Sequence, residues 1–463
     1  MAIDLVIKNG TICRPDGLLR LGIAVNDGRI IAIAPEETLP EARKTIDVKG
    51  KVIMPGLIDA HVHTRDPGFT HKEDFNTATQ CAAFGGVSMI VDMPNVKPVP
   101  ITAEAYNAKR YDCGGKAIVD FNHWASPFYL EEIPKIAALG AVGFKVFMKS
   151  AVYPYNTEAS NTDQGLLYDV FKEIGKLGLP CIVHPHNQTL FEYRIKQLKE
   201  SGVTDFAEFR WKASNPEMME SVYGTLLYFA EKANMRLGML HCHTYREFEY
   251  VLEARKRGQA VFAEYNPWVI WPAHPGSPVY GKYPANLQTE YPLDRADLVT
   301  EMAWKIITSD EFARYGYIST DHAPHLIHEM LVDDPVKSSA GCGDTTSFYL
   351  SHFLTEVNRG RIDLPRVAKL CSENVAKFIG VYPRKGSIQI GSDADFAIVD
   401  MKRKYKVTKD VIHSKCGWSI WEGTEFTGQP VYTLVRGNVV MEDGKVIGDS
   451  GWGQYVPRSN YII

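Results

Sequence analysis

The sequence has no uninterrupted apolar run long enough to cross a bilayer, which argues against a helical membrane span. It has no excess of basic residues either: 51 lysines and arginines against 55 acids leave a net charge of −4. Nothing electrostatic therefore favours nucleic acid or an anionic membrane as a partner. There is no CxxC pair. The eight cysteines, at 13, 81, 113, 181, 242, 342, 371 and 416, stand far apart, several inside apolar runs such as Pro180-Cys181-Ile182-Val183. That is the usage of reduced, buried thiols in a cytosolic protein, not of a disulfide framework. Met1-Ala2-Ile3-Asp4-Leu5-Val6 enters a strand-like pattern directly, with no basic-then-apolar signal segment. The expected location is cytoplasmic.

What is present is enough for one large domain and a small satellite: 463 residues, 45% of them hydrophobic. The first fifty-odd residues read as short strands joined by tight turns at Asp16-Gly17 and Asp27-Gly28. The C-terminal part has the same style, with Arg436-Gly437 and Asp443-Gly444 between alternating apolar residues. Both ends are expected to build one small β-sandwich domain, 1–54 plus 386–463 with a C-terminal extension, around an inserted domain at 55–385. In that insert, eight short apolar runs alternate with helical segments such as Gly165–Leu177. The runs are Gly56–His63, Val87–Met93, Ala117–His123, Ala141–Met148, Pro180–His184, Arg236–His241, Gln259–Glu264 and Tyr317–Asp321. The fold class is thus α/β, a (β/α)8 TIM-type barrel, with an open doubly wound sheet as the alternative.

The polar residues collect where these runs end. Ten of the 14 histidines lie in or near the ends: His61, His63, His71, His123, His184, His186, His241, His243, His322 and His325. Active sites of such barrels form at the C-terminal ends of the strands, so the histidines point to a metal centre. Strand alternation puts His61, His63 and Arg65 on one side, and neutral metal-bound imidazoles relieve their crowding. Lys145, between Phe144 and Val146, is costly as a buried ammonium. Two readings of it stay open: a buried ion pair with an acid such as Asp321, or a carbamate able to bridge two ions.

Several motifs together resemble the cyclic amidohydrolases of the amidohydrolase superfamily: dihydroorotase, allantoinase, hydantoinase and dihydropyrimidinase. They are Pro55-Gly56-Leu57-Ile58-Asp59 leading into His61-Val62-His63, the Gly85-Gly86 pair, and the Phe144-Lys145 run. The histidines ending runs five and six match as well, with Asp321-His322-Ala323-Pro324-His325 and Gly391-Ser392-Asp393-Ala394-Asp395. The resemblance covers nearly the whole chain. It implies two divalent metal ions, most often zinc, with His61, His63 and Asp321 on the first, His184 and His241 on the second, and Lys145 as a bridging N6-carboxylysine. It also implies Asp321 as the catalytic proton shuttle, a small cyclic amide as substrate, and a homodimer or homotetramer.

The expected reaction is dihydroorotase-like opening of a ring C–N bond. Arg65, Asn95 and His325 resemble that enzyme's substrate contacts, and a guanidinium grips a carboxylate in two hydrogen bonds. For Arg65 the plain alternative is a salt bridge to Asp66 or Asp74. Three departures cut against a simple dihydroorotase, and the alternative is allantoinase- or hydantoinase-type hydrolysis of a neutral ring. Asn266-Pro267-Trp268-Val269-Ile270-Trp271 stands where the family has a histidine-containing segment. The following substrate segment is not cleanly present, with Asn266 or Asn286 as substitutes. The Lys145 run and the segment after run five look more like allantoinase and hydantoinase, although Ser150 stands where hydantoinases carry a tyrosine. His186 and His243 read either as groups orienting ligands or as core histidines, and Trp268 and Trp271 as a pocket wall or as rim packing. Residues 326–344 read as a long loop that could form a lid. A non-catalytic relative is the rival class; it should lack several of the six ligands, and this chain has all of them.

Overall fold

The structure, a computed structural model, describes residues 2–151, 156–281, 296–338 and 341–459. Its centre is a run of parallel strands: β1 (Leu57–Val62), β2 (Val87–Asp92), β3 (Asp120–Ala125), β4 (Gly143–Phe147), β5 (Pro180–His184), β6 (Arg236–Met239), β7 (Val261–Tyr265) and β8 (Gly316–Ile318). They pair in sequence order into one eight-stranded sheet. The ring closes just past β8, where Val62 and His322 form a parallel bridge. There the His63 N–H donates to the His322 carbonyl at 2.8 Å and the His322 N–H to the His61 carbonyl at 3.2 Å. The barrel expectation is met. Every residue of β1 to β4 is buried, which explains why these strands read as continuous apolar runs without alternation.

Helices pack outside. Helix α1 (Phe75–Phe84) starts in a capping box of Asp74 and Thr77, and α2 (Ala103–Gly114) is capped by Thr102. The helix Gln164–Lys176 buries Leu167, Val170, Phe171 and Ile174. Leu177, expected on that stripe, is exposed at its C-cap.

Two further sheets come from the chain ends. Four strands, ordered Arg29–Ala34, Gly22–Asn26, Ile3–Lys8 and Ala42–Asp47, form one. Seven form the other: Lys445–Val446, Asn438–Glu442, Glu425–Val435, Phe396–Lys406, Val52–Pro55, Thr11–Arg14 and Gly17–Leu19. Leu5, Ile7, Ile23 and Val25 of the first share a core with Ile12, Ile53, Phe396 and Ile398 of the second, so the pair is a sandwich. Asp27-Gly28, Arg436-Gly437 and Asp443-Gly444 all have positive φ at both residues, as two-residue hairpin turns require.

The sandwich is locked to the barrel at the N-terminal ends of the strands. Lys385 is fully buried, 3.0 Å from Asp393 and 2.7 Å from Asp395, and pairs with Asp120 at the start of β3. Arg436 reaches the same Asp120. The C-terminal tail crosses this end: the Phe121 N–H donates to the Gln454 carbonyl at 3.0 Å, and the Val456 N–H to the Phe121 carbonyl at 2.9 Å. Among the described residues no helix is long and apolar enough to cross a membrane.

Candidate active site

The opposite end of the barrel carries the chemistry. His61 is the fifth residue of β1, Lys145 lies in the middle of β4, and His184 ends β5. His63 follows β1, while His241 and Asp321 lie two and three residues beyond β6 and β8. Ligand atoms of His61, His241 and Asp321 all lie within 4.8 Å of one another. Asp321 Oδ1 is 3.1 Å from His61 Nε2 and 3.3 Å from His63 Nε2. The His184 ring stands edge-on to that of His241 at 4.8 Å.

Three non-glycine residues here, Arg65, His241 and Asp321, have φ of 60°, 57° and 51°. Such left-handed backbone costs about 1–3 kcal/mol per residue and persists only where the surroundings enforce it. It corrects one expectation. The β1 strand does not run on through Arg65; it ends at Val62, and the chain turns so that Arg65 faces β8. There Arg65 Nε donates to the Pro324 carbonyl at 3.2 Å and Nη2 to His325 Nε2 at 3.0 Å. Asp66 and Asp74, the acids next to it in sequence, pair with Lys116 and Lys415.

The buried imidazoles are oriented from behind. Glu264 Oε1 lies 2.8 Å from His61 Nδ1, and Asn95 Oδ1 lies 2.7 Å from His63 Nδ1. Asn266 Oδ1 lies 2.8 Å from His241 Nδ1 and 2.9 Å from His243 Nε2. Asn266 Nδ2 donates to the Ser319 carbonyl at 2.9 Å, which fixes the amide so that its oxygen faces both histidines. Carboxylate and amide oxygens on Nδ1 leave the proton there and turn a bare Nε2 inward. Several inward lone pairs beside the Asp321 carboxylate repel one another unless a cation lies among them. Lys145 Nζ and His184 Nε2 add to this: both are buried with no hydrogen-bond partner among the described residues. These residues fit a metal centre.

The electrostatics agree at three of the four imidazoles. Burial holds His63 down to about 3 and His241 and His184 well below the usual imidazole range, hence neutral. At His61 burial acts the same way but is overcome by Glu264 and Asp321, which lift it to about 9. Burial would raise Asp321; His61 and His63 hold it well below the usual carboxylate range. Lys145 is brought down by burial to about 7, so much of it is the neutral amine. Among the described residues no acid bonds it; its Nζ sits 4.2 Å above the Phe147 ring. The ion-pair reading of Lys145 is not seen.

Sequence reasoning gave no role to Glu264 or to Asn266 as the anchor of His241. An acid inside the apolar run Val261-Phe262-Ala263-Glu264-Tyr265 was the available signal, since a lone buried carboxyl needs a partner. His243 meets Asn266 and stands edge-on to Trp268 at 5.0 Å, so it supports the site from behind. His186 packs on Phe191. Trp271 stacks on His352 at 4.4 Å and is rim packing. Asn286 lies outside the described residues. Within 326–344, Ile327–Met330 is a single helical turn whose Glu329 binds Lys72 at 2.6 Å.

The sequence pattern of the amidohydrolase family matches residues 52–253 and 292–440. The chain belongs to the amidohydrolase family. It is 33% identical to an L-hydantoinase of Paenarthrobacter aurescens over 99% of both chains. It is 31% identical to a dihydroorotase of Methanosphaera stadtmanae, covering 96% of this chain and 97% of that one. An allantoinase of Rubrobacter xylanophilus is also 31% identical, over 96% of each. Among solved structures, an L-hydantoinase (dihydropyrimidinase) from Arthrobacter aurescens superposes with a TM-score of 0.90 at 30% identity, covering 98% of this chain and all of that one. This amidohydrolase is thus an enzyme of the hydantoinase, dihydroorotase and allantoinase group.

Proposed function

We propose that the enzyme opens a ring C–N bond of a small cyclic amide or ureide with two divalent ions. His61, His63 and Asp321 would hold one and His184 and His241 the other, with Lys145 bridging as its carbamate. The nitrogen-rich donor set suits zinc. Such ions, when bound, acidify a water and polarise a carbonyl. The chain's own part is the proton. Asp321 takes it from the attacking water at a carboxylate oxygen and returns it to the ring nitrogen as the C–N bond breaks, base first and acid afterwards. His63, His184 and His241, held neutral by burial, do not compete for that proton. His325, held to about 3 by burial and Arg65, is no proton donor near neutral pH.

For the ring itself, a neutral hydantoin- or dihydropyrimidine-type substrate is the better supported. The observation that carries this is the engagement of the expected carboxylate-binding trio: Arg65 bonds Pro324 and His325, and Asn95 meets His63. A ring bearing a carboxylate is the second reading. In its favour, the buried Arg65 guanidinium lies beside Lys72, whose Nζ is 3.3 Å from His325 Nδ1. Ring opening of hydantoin, dihydrouracil, allantoin and dihydroorotate by the zinc-loaded enzyme separates them. The neutral rings are expected to react at least tenfold faster in kcat/KM. Turnover confined to dihydroorotate would overturn the neutral-ring reading, and no turnover of any ring the cyclic-amide reading itself.

A further inference from the structure

Asp321 is held in a left-handed backbone conformation, and the residue after it shows how. All four polar groups of His322 are engaged. Its N–H and carbonyl bind His61 and His63 across the barrel seam. Its Nδ1 accepts the Thr345 N–H at 3.3 Å, which leaves the ring proton on Nε2, 3.2 Å from Glu73 Oε2. Glu73 is fully buried, comes from the loop after β1, and is gripped in turn. Thr77 Oγ1 and the Lys415 N–H donate to Oε1, and Ser414 Oγ to Oε2.

Ser414 belongs to neither barrel nor helix. It lies in residues 407–424, an excursion from the hairpin that joins Phe396–Lys406 to Glu425–Val435 in the sandwich. The excursion reaches the active-site rim and ties down three loops. Its Trp418 Nε1 donates to the His325 carbonyl at 2.7 Å, its Lys415 Nζ meets Asp74 at 2.9 Å, and its Trp421 Nε1 donates to the Trp271 carbonyl at 2.7 Å. The Asp344 N–H donates back to the Trp418 carbonyl at 2.9 Å.

From this geometry we infer that Ser414 is a positioning residue: through Glu73 and His322 it holds Asp321 in the conformation needed for proton transfer, so the sandwich completes the active site. The inference rests on the role assigned above to Asp321. Without the Ser414 hydroxyl, Glu73 keeps its other donors but loses the one that aims Oε2 at His322. The strained Asp321 backbone then has a freer neighbour, and a misplaced carboxylate slows turnover without changing what binds the ring.

The test compares Ser414→Ala and Ser414→Thr with the wild type. In Ser414→Ala, kcat is expected to fall about tenfold with KM within twofold, while bound zinc per chain is unchanged. Ser414→Thr, which retains the hydroxyl, should recover most of kcat. Amide hydrogen exchange of residues 320–325 should speed up in the alanine variant alone. A Ser414→Ala enzyme with wild-type kcat and exchange overturns the proposal, as does a loss of kcat that tracks loss of zinc or is not recovered by threonine. Because exchange needs no substrate, a wild type that opens no ring counts against the proposed reaction. Unaltered exchange counts against the proposed positioning.

Discussion

Single residues here do work set by what stands behind them. That histidines and a lysine meet at one end of the barrel was legible because they are conspicuous inside apolar strand ends; the assignment of His61, His63, His184, His241, Lys145 and Asp321 to two ions came only from the family resemblance. Glu264, Asn95 and Asn266 could not be given their partners, since only folding brings β7 and the ends of β2 and β7 behind the histidines at the ends of β1 and β6. Glu264 is the sharpest case, an acid 2.8 Å from His61 Nδ1 that touches no solvent. Glu264→Gln keeps the shape and removes the charge that holds the proton on His61 Nδ1. Zinc affinity is expected to drop by about 10–100-fold, measured by competition with a chelator of known strength, with the fold intact by circular dichroism. Unchanged affinity would mean that Glu264 only fills the barrel.

At the scale of elements, strand ends were more legible than the loops that leave them. The eight barrel strands fall within a few residues of the expected runs because each is a short apolar segment between turn signals. The path beyond β1 was not legible: alternation carries Arg65 to the side of His61 and His63, but the seam with His322 stops the strand and the left-handed Arg65 turns away. The end of β2 helps hold this turn. Asp92 Oδ1 accepts the Thr64 N–H at 2.9 Å, and Oδ2 pairs with Lys109 of α2 at 2.5 Å, both side chains buried. Burial would raise the Asp92 carboxyl, but Lys109 and His123 hold it below the usual range. A depressed carboxyl contributes its stability above the unfolded-state pKa of about 4 and loses it as pH falls through the folded value. Lys109→Met is therefore expected to cost about 3–5 kcal/mol at pH 7, read by urea unfolding. The gap to the wild type should narrow below about pH 4. A gap independent of pH would show that packing, not charge, is at stake.

For the whole molecule, the sandwich made from both ends was visible in the similar turn-rich ends of the chain, because two-residue hairpins leave a local signature. Its attachment to the barrel was not, since Lys385, Asp120, Asp393 and Asp395 are spread over 276 positions of sequence, from 120 to 395. Lys385→Met would strip the buried Asp395 of its cation, leaving Asp120 to Arg436 and Asp393 to Arg384, and is expected to cost about 3–5 kcal/mol. The check is a lowered unfolding midpoint in urea, and stability equal to the wild type would refute a structural role for the cluster. The tail beneath the barrel carries a different consequence, one of timing. A chain leaves the ribosome N-terminus first, and the segment pairing with Phe121 at the floor of the barrel is Gln454–Val456. The first seven strands can collapse on themselves while that floor is still open. Asp321 and the Ser414 excursion follow in that order, and the segment that closes the floor follows both. The floor of the barrel is therefore closed by residues made after those that line its mouth.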